Sequence, residues 1–297
     1  AEHVEAAIEY DVTQSIYTIE MAEACAKAAE KMGKKVVVHL KIDTGMGRIG
    51  FLPGLDTIRE IKKIVNMPGL FVEGIFTHFA VADCLDKTFT LQQFENFQEI
   101  VKELEKEGIE IPLKHAANSA AVIDLPETHL NLVRPGIIIY GLYPSREVDI
   151  SKIALQPAMA FKARVSFVKK VASGTSISYG RKFITEKEAM IATLPLGYAD
   201  GFGRMLSNRA EILLQGKRVR VAGTICMDQL MVDTSEVPET RIGDEAVIFG
   251  AQGEEQISVE EIAERLNTIN YEIITMLSLR VPRLYIEETG KGRPNVQ

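Results

Sequence analysis

The amino-acid sequence predicts an α/β protein in two parts, a half built on parallel strands followed by a mainly β half. Three observations predict it. Up to about residue 150, short apolar runs alternate with amphipathic helical segments, the pattern of strands joined by helical crossovers. From about Pro157 the long helices drop out and strand-like runs follow one another directly. No G-x-G-x-x-G follows any strand, so a dinucleotide-binding sheet has no support.

The elements follow in order. Ile16, Ile19, Ala22, Ala26 and Ala29 share one helix face, and Gly33 is placed to end that helix. Residues 36–42 read as the next strand, 55–65 as a helix and 70–77 as a strand. Residues 88–107 are helical with Phe94, Phe97, Val101 and Leu104 inward. A brief strand near Leu113, a short helix from Asn118 and an extended stretch over 132–140 complete the first half. In the second half the strands are 159–171, 189–196, 209–221, 229–233 and 246–249. One helix interrupts them, opened by Ser258 with Glu261 three residues on, a capping-box spacing, before a last strand over 280–286. The boundary near 145–155 carries no Gly/Ser linker and divides a domain 1–150 from a domain 151–297. Four or five strand–helix units are too few to close an eight-stranded barrel, which takes about 250 residues. Either the sheet is open or its beginning is missing.

Composition bounds the function. With 297 residues, 46% hydrophobic and 25% charged, the chain can bury a large core. It has no run of about 18 uncharged apolar residues and no leader pattern, so the expected compartment is the cytoplasm. Cys25, Cys84 and Cys226 are an odd number at wide spacing, which suits reduced thiols rather than a disulfide framework or a zinc site. The formal net charge of -7, with no basic block, argues against nucleic acid and anionic lipid and leaves small molecules as partners. The chain starts at Ala1 rather than Met, so it reads as processed or incomplete.

Several segments can carry chemistry. Residues 41–50, Lys-Ile-Asp-Thr-Gly-Met-Gly-Arg-Ile-Gly, follow a strand at the end where parallel α/β proteins bind ligands. A glycine-rich turn with a solvated Arg48 is the equally weighted plain reading. Alternation puts His39 and Lys41 on one strand face. His78 follows the strand 74–77, and His115-Ala116-Ala117-Asn118-Ser119 joins a strand end to a helix start. A strand-end histidine is more often structural, and Asn118 and Ser119 are ordinary capping residues, yet a helix start with a serine hydroxyl also suits phosphate. Arg134-Pro135-Gly136 places a cation in an apolar run, where burial demands a partner. Together His39, Lys41, His78, His115 and Arg134 favour an anionic ligand. In the second half, Ser178-Tyr179-Gly180, 197–201 and Cys226-Met227-Asp228 break strand patterns, each unremarkable alone.

Taken together, 41–50, Thr77-His78-Phe79-Ala80, 115–119, 133–141, 178–180, 197–201, 225–229 and Arg280-Val281-Pro282-Arg283 resemble, in order and spacing, the alanine racemase family. The resemblance runs from about Ala1 to Ile286. It implies a parallel (β/α)8-type barrel, incomplete in this chain, followed by a mainly β domain, in a head-to-tail homodimer. It also implies the cofactor pyridoxal 5'-phosphate and the interconversion of L- and D-alanine, D-alanine being a peptidoglycan precursor.

Pyridoxal phosphate acidifies the Cα hydrogen of a bound amino acid by delocalising the carbanion, and racemisation needs a base on each face. The resemblance makes Tyr179 one base and a lysine the other. A phenol is a poor base unless a cation or hydrogen-bond network favours its phenolate, and His78 and Arg134 match the residues that supply one. Arg134 also matches the partner of the pyridine nitrogen, where a guanidinium offers no acceptor for a ring proton. Ser119, beside Asn118 and with the Gly136 and Ile137 amides, matches the phosphate site. Arg48 and Met227 match contacts to the substrate carboxylate, and Lys41 matches the lysine often carbamylated to hold the arginine. No metal is implied. Two departures stand out. The Lys-Ala-Asn-Ala-Tyr-Gly-His-Gly motif with the cofactor lysine does not occur, which implies that an N-terminal segment of roughly three barrel units is lacking. Leu279 stands where many members place a tyrosine, which loosens the expected substrate preference. Competing readings are a racemase of another amino acid, a metal-dependent lyase using His78, Asp83 and His115, and a non-catalytic truncation that only binds the cofactor.

Overall fold

The computed structural model describes residues 3–286 and a short strand at 295–296. The chain divides into two units, one running to Gln156 and one from Pro157, a little beyond the predicted boundary at 150.

In the first unit, α1 (Val4–Glu9) precedes β1 (Gln14–Ile16), α2 (Ile19–Met32), β2 (Val36–Lys41) and α3 (Leu55–Ile64). Then come β3 (Leu70–Phe76), α4 (Thr88–Lys106), β4 (Leu113–His115) and α5 (Ser119–Asp124). The four strands pair in chain order and every pair is parallel, as strands joined by crossovers must be. This is the predicted barrel-type sheet, incomplete among the described residues.

Local chemistry explains the elements. Thr18 caps α2 by accepting from the Met21 amide, and Gly33 at φ 61° takes the left-handed turn that ends it. Ala22, Cys25 and Ala29 face inward and join Val36, Val38, Leu40, Ile75, Phe94, Phe97 and Leu104 in one core. Alternation along β2 then leaves His39 and Lys41 on the opposite face. Burial pushes the Cys25 thiol up, and all three cysteines are free.

Residues 132–140 do not form the expected strand. The Arg134 amide donates to the Ala117 carbonyl (3.0 Å) and the Gly136 amide to the Ser119 hydroxyl (2.8 Å), so 134–136 runs in step with the end of β4. Pro135 has no amide to extend a ladder, and Ile137–Tyr140 winds into a 3₁₀ turn that closes at Gly141, φ 72°.

In the second unit, β5 (Phe161–Arg164), β6 (Phe167–Val171), β7 (Ser176–Ile177), β8 (Phe183–Ile184) and β9 (Ala189–Leu194) come first. They are followed by β10 (Glu211–Leu214), β11 (Lys217–Val221), β12 (Leu230–Asp233), β13 (Glu245–Gln252) and β14 (Glu255–Ile257). Eight of them form one sheet in the order β14-β13-β10-β11-β12-β9-β6, with β5 also on β13. All its pairs are antiparallel. Two helices follow, α6 (Val259–Leu266) and α7 (Asn270–Thr275), where the sequence suggested one. Ser258 caps α6 by accepting from the Glu261 amide, but Glu261 itself pairs with Arg218 and Arg265, so the capping box is only half formed. The expected strand at 280–286 shortens to β15 (Leu284–Tyr285), paired with β16 (Asn295–Val296).

Candidate active site

The first unit gathers its predicted cations and imidazoles around the ends of β2, β3 and β4. Phe76 is the platform. The His115 ring stacks on it at 4.7 Å and 5°, Lys41 Nζ lies 5.7 Å from its centroid and the Arg134 guanidinium 5.4 Å. Arg134 Nη2 donates to the carbonyls of Thr77 (2.8 Å) and Ala116 (3.0 Å), and Nη1 donates to His115 Nδ1 (2.6 Å). His78 Nδ1 lies 3.4 Å from Nη2. No carboxylate pairs with Arg134 among the described residues, so this half-buried cation is met only by neutral acceptors.

The field of these groups sets their protonation. Burial, then the Arg134, Arg48 and Lys41 charges, push His78 down to about 4. Burial, Arg134 and His39 push His115 down to about 3. Both rings are therefore neutral at pH 7 and accept from the arginine. Burial lowers Arg134 to about 10, still a cation. Lys41, only 1% exposed, is lowered to about 8 by burial, with Asp43 opposing and Arg48 and Arg134 adding to the fall; its Nζ donates to the Ile42 carbonyl at 2.7 Å.

Residues 41–50 form a pinched loop. The Asp43 amide donates to the Phe51 carbonyl and the Phe51 amide to the Lys41 carbonyl, both at 2.9 Å, and the Asp43 carboxylate accepts from the amides of Gly45 (3.1 Å) and Gly47 (3.0 Å). Burial pushes that carboxyl up, but the amides and Lys41 outweigh it and hold it below its usual range. A Cβ on Gly50 would sit 2.6 Å from the Asp43 nitrogen, so the loop closes only over glycine. Arg48 is exposed on this loop. Thr44 and Thr77 tie it to the end of β3 through their hydroxyls (2.6 Å).

Ser119 is buried, and its Oγ receives the Gly136 amide; Asn118 caps α5 by accepting from the Ala121 amide at 3.2 Å, while Ile137 is buried beside them. Gln93, fully buried on α4, accepts from the Ala80 amide (2.9 Å) and donates to the His78 carbonyl (3.2 Å). Sequence reading missed Gln93, whose polar side chain looked like part of a solvated helix face.

In the second unit Tyr179 is exposed at a turn where Ser178 takes φ 65°. The Thr224 hydroxyl donates to the Tyr179 carbonyl (2.8 Å), and the Ser178 hydroxyl donates to the Thr224 carbonyl. Met227 is exposed on the loop that follows, so Thr224–Gln229 carries one predicted residue and holds the other. The segment 197–201 braces this loop: Tyr198 and Ala199 amides donate to the Cys226 and Met227 carbonyls (3.1 and 2.9 Å). Asp200 locks the brace, accepting from the Gly197 amide and pairing with Arg280, both at 2.8 Å. Arg280 and Arg283 are thus structural, and Leu279 is 99% exposed within its unit.

Among the described residues no three His, Cys, Asp or Glu side chains gather as a metal site, so His78, Asp83 and His115 do not form the lyase centre considered above. A cavity of about 730 Å³ opens beside Thr18, Leu52, Asp56 and Arg59. It includes none of the predicted site residues, and its arginine is paired with Asp56.

These features define a barrel-type α/β protein with a cationic interior and a second, antiparallel unit. Two family models match it, "Alanine racemase, N-terminal domain" over residues 1–144 and "Alanine racemase, C-terminal domain" over 158–285. The chain belongs to the alanine racemase family. It is 53% identical to an alanine racemase of Methanococcus maripaludis over 94% of this chain and 74% of that protein. It is 51% identical to one from Desulforamulus reducens, over 94% and 75%. The solved alanine racemase of Clostridium difficile superposes with a TM-score of 0.94 at 41% identity, covering 99% of this chain and 76% of that one. That of Bacillus anthracis with bound L-Ala-P gives 0.91 at 36%, covering 99% and 75%. The N-terminal family model engages the chain from residue 1, and the expected lack of a segment bearing the cofactor lysine is not borne out. No helix among the described residues is long and apolar enough to cross a membrane.

Proposed function

We propose that this protein interconverts L- and D-alanine with the help of pyridoxal 5'-phosphate. The observation that carries the reading is Arg134, a half-buried cation with neutral partners only, at the ends of parallel strands whose loops also carry the buried Ser119 hydroxyl and the Gly136 amide. Such a cation is best satisfied by an electron-rich or anionic ligand. The donor set fits the cofactor. Ser119 and the amides of Gly136 and Ile137, beside Asn118, would hold its phosphate; Arg134 would face its ring nitrogen, with His78 alongside.

When bound, the cofactor acidifies the Cα hydrogen of the amino acid. The residues of this chain supply the rest. Tyr179 moves that proton on one face of the α-carbon, aided by the neutral His78 ring and the Arg134 cation. Arg134 would keep its own protons and offer the cofactor's ring nitrogen no source of one, which would favour racemisation over transamination. Arg48, the Met227 amide and Lys41 position the substrate carboxylate. The family resemblance also supports, as part of this reading, a homodimer in which Tyr179 and Met227 of one subunit would complete the site formed by His78, Ser119 and Arg134 of the other, and an alanine preference loosened by Leu279.

The test is direct. Added pyridoxal phosphate is expected to give a bound chromophore and D-alanine formation from L-alanine. A protein that gives neither, or that requires a divalent metal for turnover, overturns the reading.

A further inference from the structure

The inner face of the sheet holds a second line of groups behind Arg134 that the reading above does not use. Its Nη1 donates to His115 Nδ1 at 2.6 Å, His115 Nε2 meets His39 Nδ1 at 2.8 Å, and His39 Nε2 meets the Glu73 carboxylate at 3.0 Å. The line runs from the half-buried Arg134 guanidinium to the partly exposed Glu73, whose side chain is 36% accessible against 14% for His39.

The proton positions along this line follow from donor chemistry. Arginine can only donate. His115 Nδ1 must therefore accept, which leaves the ring's one proton on Nε2. That proton must point at His39 Nδ1, so the His39 ring in turn carries its proton on Nε2 and gives it to Glu73. Each of the four ring nitrogens has one permitted role. The carboxylate ends a chain in which every dipole points the same way, and hydrogen bonds aligned in this manner polarise one another.

The backbone is shaped to admit the chain. Gly74 lies inside β3 opposite His39, and a Cβ there would fall 2.5 Å from His39 Nδ1 and 2.6 Å from Cε1. The β2–β3 register shifts between Val38 and His39, at the same place. A glycine within a strand weakens it, and its use here is close approach of another group. His39 occupies a space that any other residue at 74 would fill.

We propose that Glu73, His39 and His115 form a positioning chain that fixes the orientation of the Arg134 guanidinium, with Gly74 as the seat that admits it. The chain holds one arm of the guanidinium through a neutral acceptor and compensates its charge at a distance, leaving the donors that face the ligand free of a competing carboxylate. Its catalytic consequence rests on the reading of Arg134 as the partner of the cofactor ring nitrogen; its geometry does not.

Nitrogen-15 NMR of the full chain labelled at histidine tests the geometry without turnover. His39 and His115 are expected to carry a proton at Nε2 and none at Nδ1. Glu73→Leu should shift both rings, Glu73→Gln should preserve them because its carbonyl still accepts, and Gly74→Ala should displace His39 with every charge retained. His129, bonded to the Val122 carbonyl instead, should not move. A proton on Nδ1 of either ring in the unaltered protein, or a His115 signal unmoved in both Glu73→Leu and Gly74→Ala, overturns the chain. In the cofactor-loaded enzyme, the ratio of transamination to racemisation should rise about tenfold in Glu73→Leu, the low end of the effect that removing an outer partner has at metal ligands, and return in Glu73→Gln. An unchanged ratio with the NMR chain broken overturns the positioning role alone. Absence of racemisation in the unaltered protein would sink the proposed function and leave the NMR result to decide the chain.

Discussion

Lys41 is an amine that the protein makes easy to discharge. Its pKa of about 8 comes first from burial, then from the nearby Arg48 and Arg134 charges. A neutral amine is nucleophilic toward carbon dioxide, and the carbamate it forms is an anion, for which the two arginines become favourable neighbours. We expect carbon-13 bicarbonate to give one carbamate signal at pH 8 that is lost in Lys41→Met; a signal that persists in the variant would remove Lys41 from this role. At this scale the sequence was informative where an ionisable residue interrupted an apolar strand. Lys41, His39, His78, His115 and Arg134 all stood out in that way, and the structure gathers them. Glu73 and Gln93 did not, because a polar residue on an alternating strand or an amphipathic helix reads as its solvated face. Only a close contact through space, the carboxylate on His39 or the amide on the His78 carbonyl, reveals their use.

Among the elements, the two braced loops matter most. A Cβ on Gly197 would lie 2.3 Å from the Cys226 carbonyl and 2.5 Å from that of Met227, both backbone atoms. Gly197→Ala must therefore push the Thr224–Gln229 loop away. The expected cost is about 1–3 kcal/mol of stability, with a raised KM for alanine and unaltered cofactor absorbance. Denaturant unfolding and steady-state kinetics measure these; an unchanged KM would detach Met227 from substrate binding. Strands and helices with clear periodicity were legible, down to the Gly33 stop of α2. The run 132–140 was not. Its Ile137, Ile138, Ile139 and Tyr140 have strong strand propensity, but Pro135 withholds a donor and Gly141 turns left-handed, so the local pattern lost to the turn. The Ser258 cap was readable, whereas the loss of Glu261 to Arg218 and Arg265 depends on β11 and on helix packing, which periodicity does not report.

For the whole molecule, protonation links the interior to stability. His78 and His115 are held near 4 and 3, below the ordinary imidazole value of 6.5. The unfolded chain therefore binds more protons than the folded one below that value. Stability is fully present above about pH 6.5 and is lost as pH falls toward 3. The depressed Asp43 and Asp124 carboxyls extend the loss at the acid end. Unfolding free energies measured between pH 7 and 4 should show this slope, and His115→Gln should flatten it; an unchanged slope would contradict the burial assigned to that ring. The proposed two-subunit site makes a second prediction. Mixing Tyr179→Phe subunits with Arg134→Ala subunits should regenerate one intact site per mixed dimer and restore part of the activity. Mixed dimers without recovered activity would place both residues in one subunit's site.

The seat at Gly74 also has a meaning for how this sequence can drift. A side chain at 74 and a ring at 39 claim the same volume, so neither position is free while the other is kept. Gaining even a methyl group at 74 is harmless only in a lineage where the histidine has already shrunk, and regaining the histidine is barred until the methyl is gone. The two sites should thus change as a pair or not at all, and relatives carrying a β-carbon at the position of Gly74 should lack the imidazole at the position of His39.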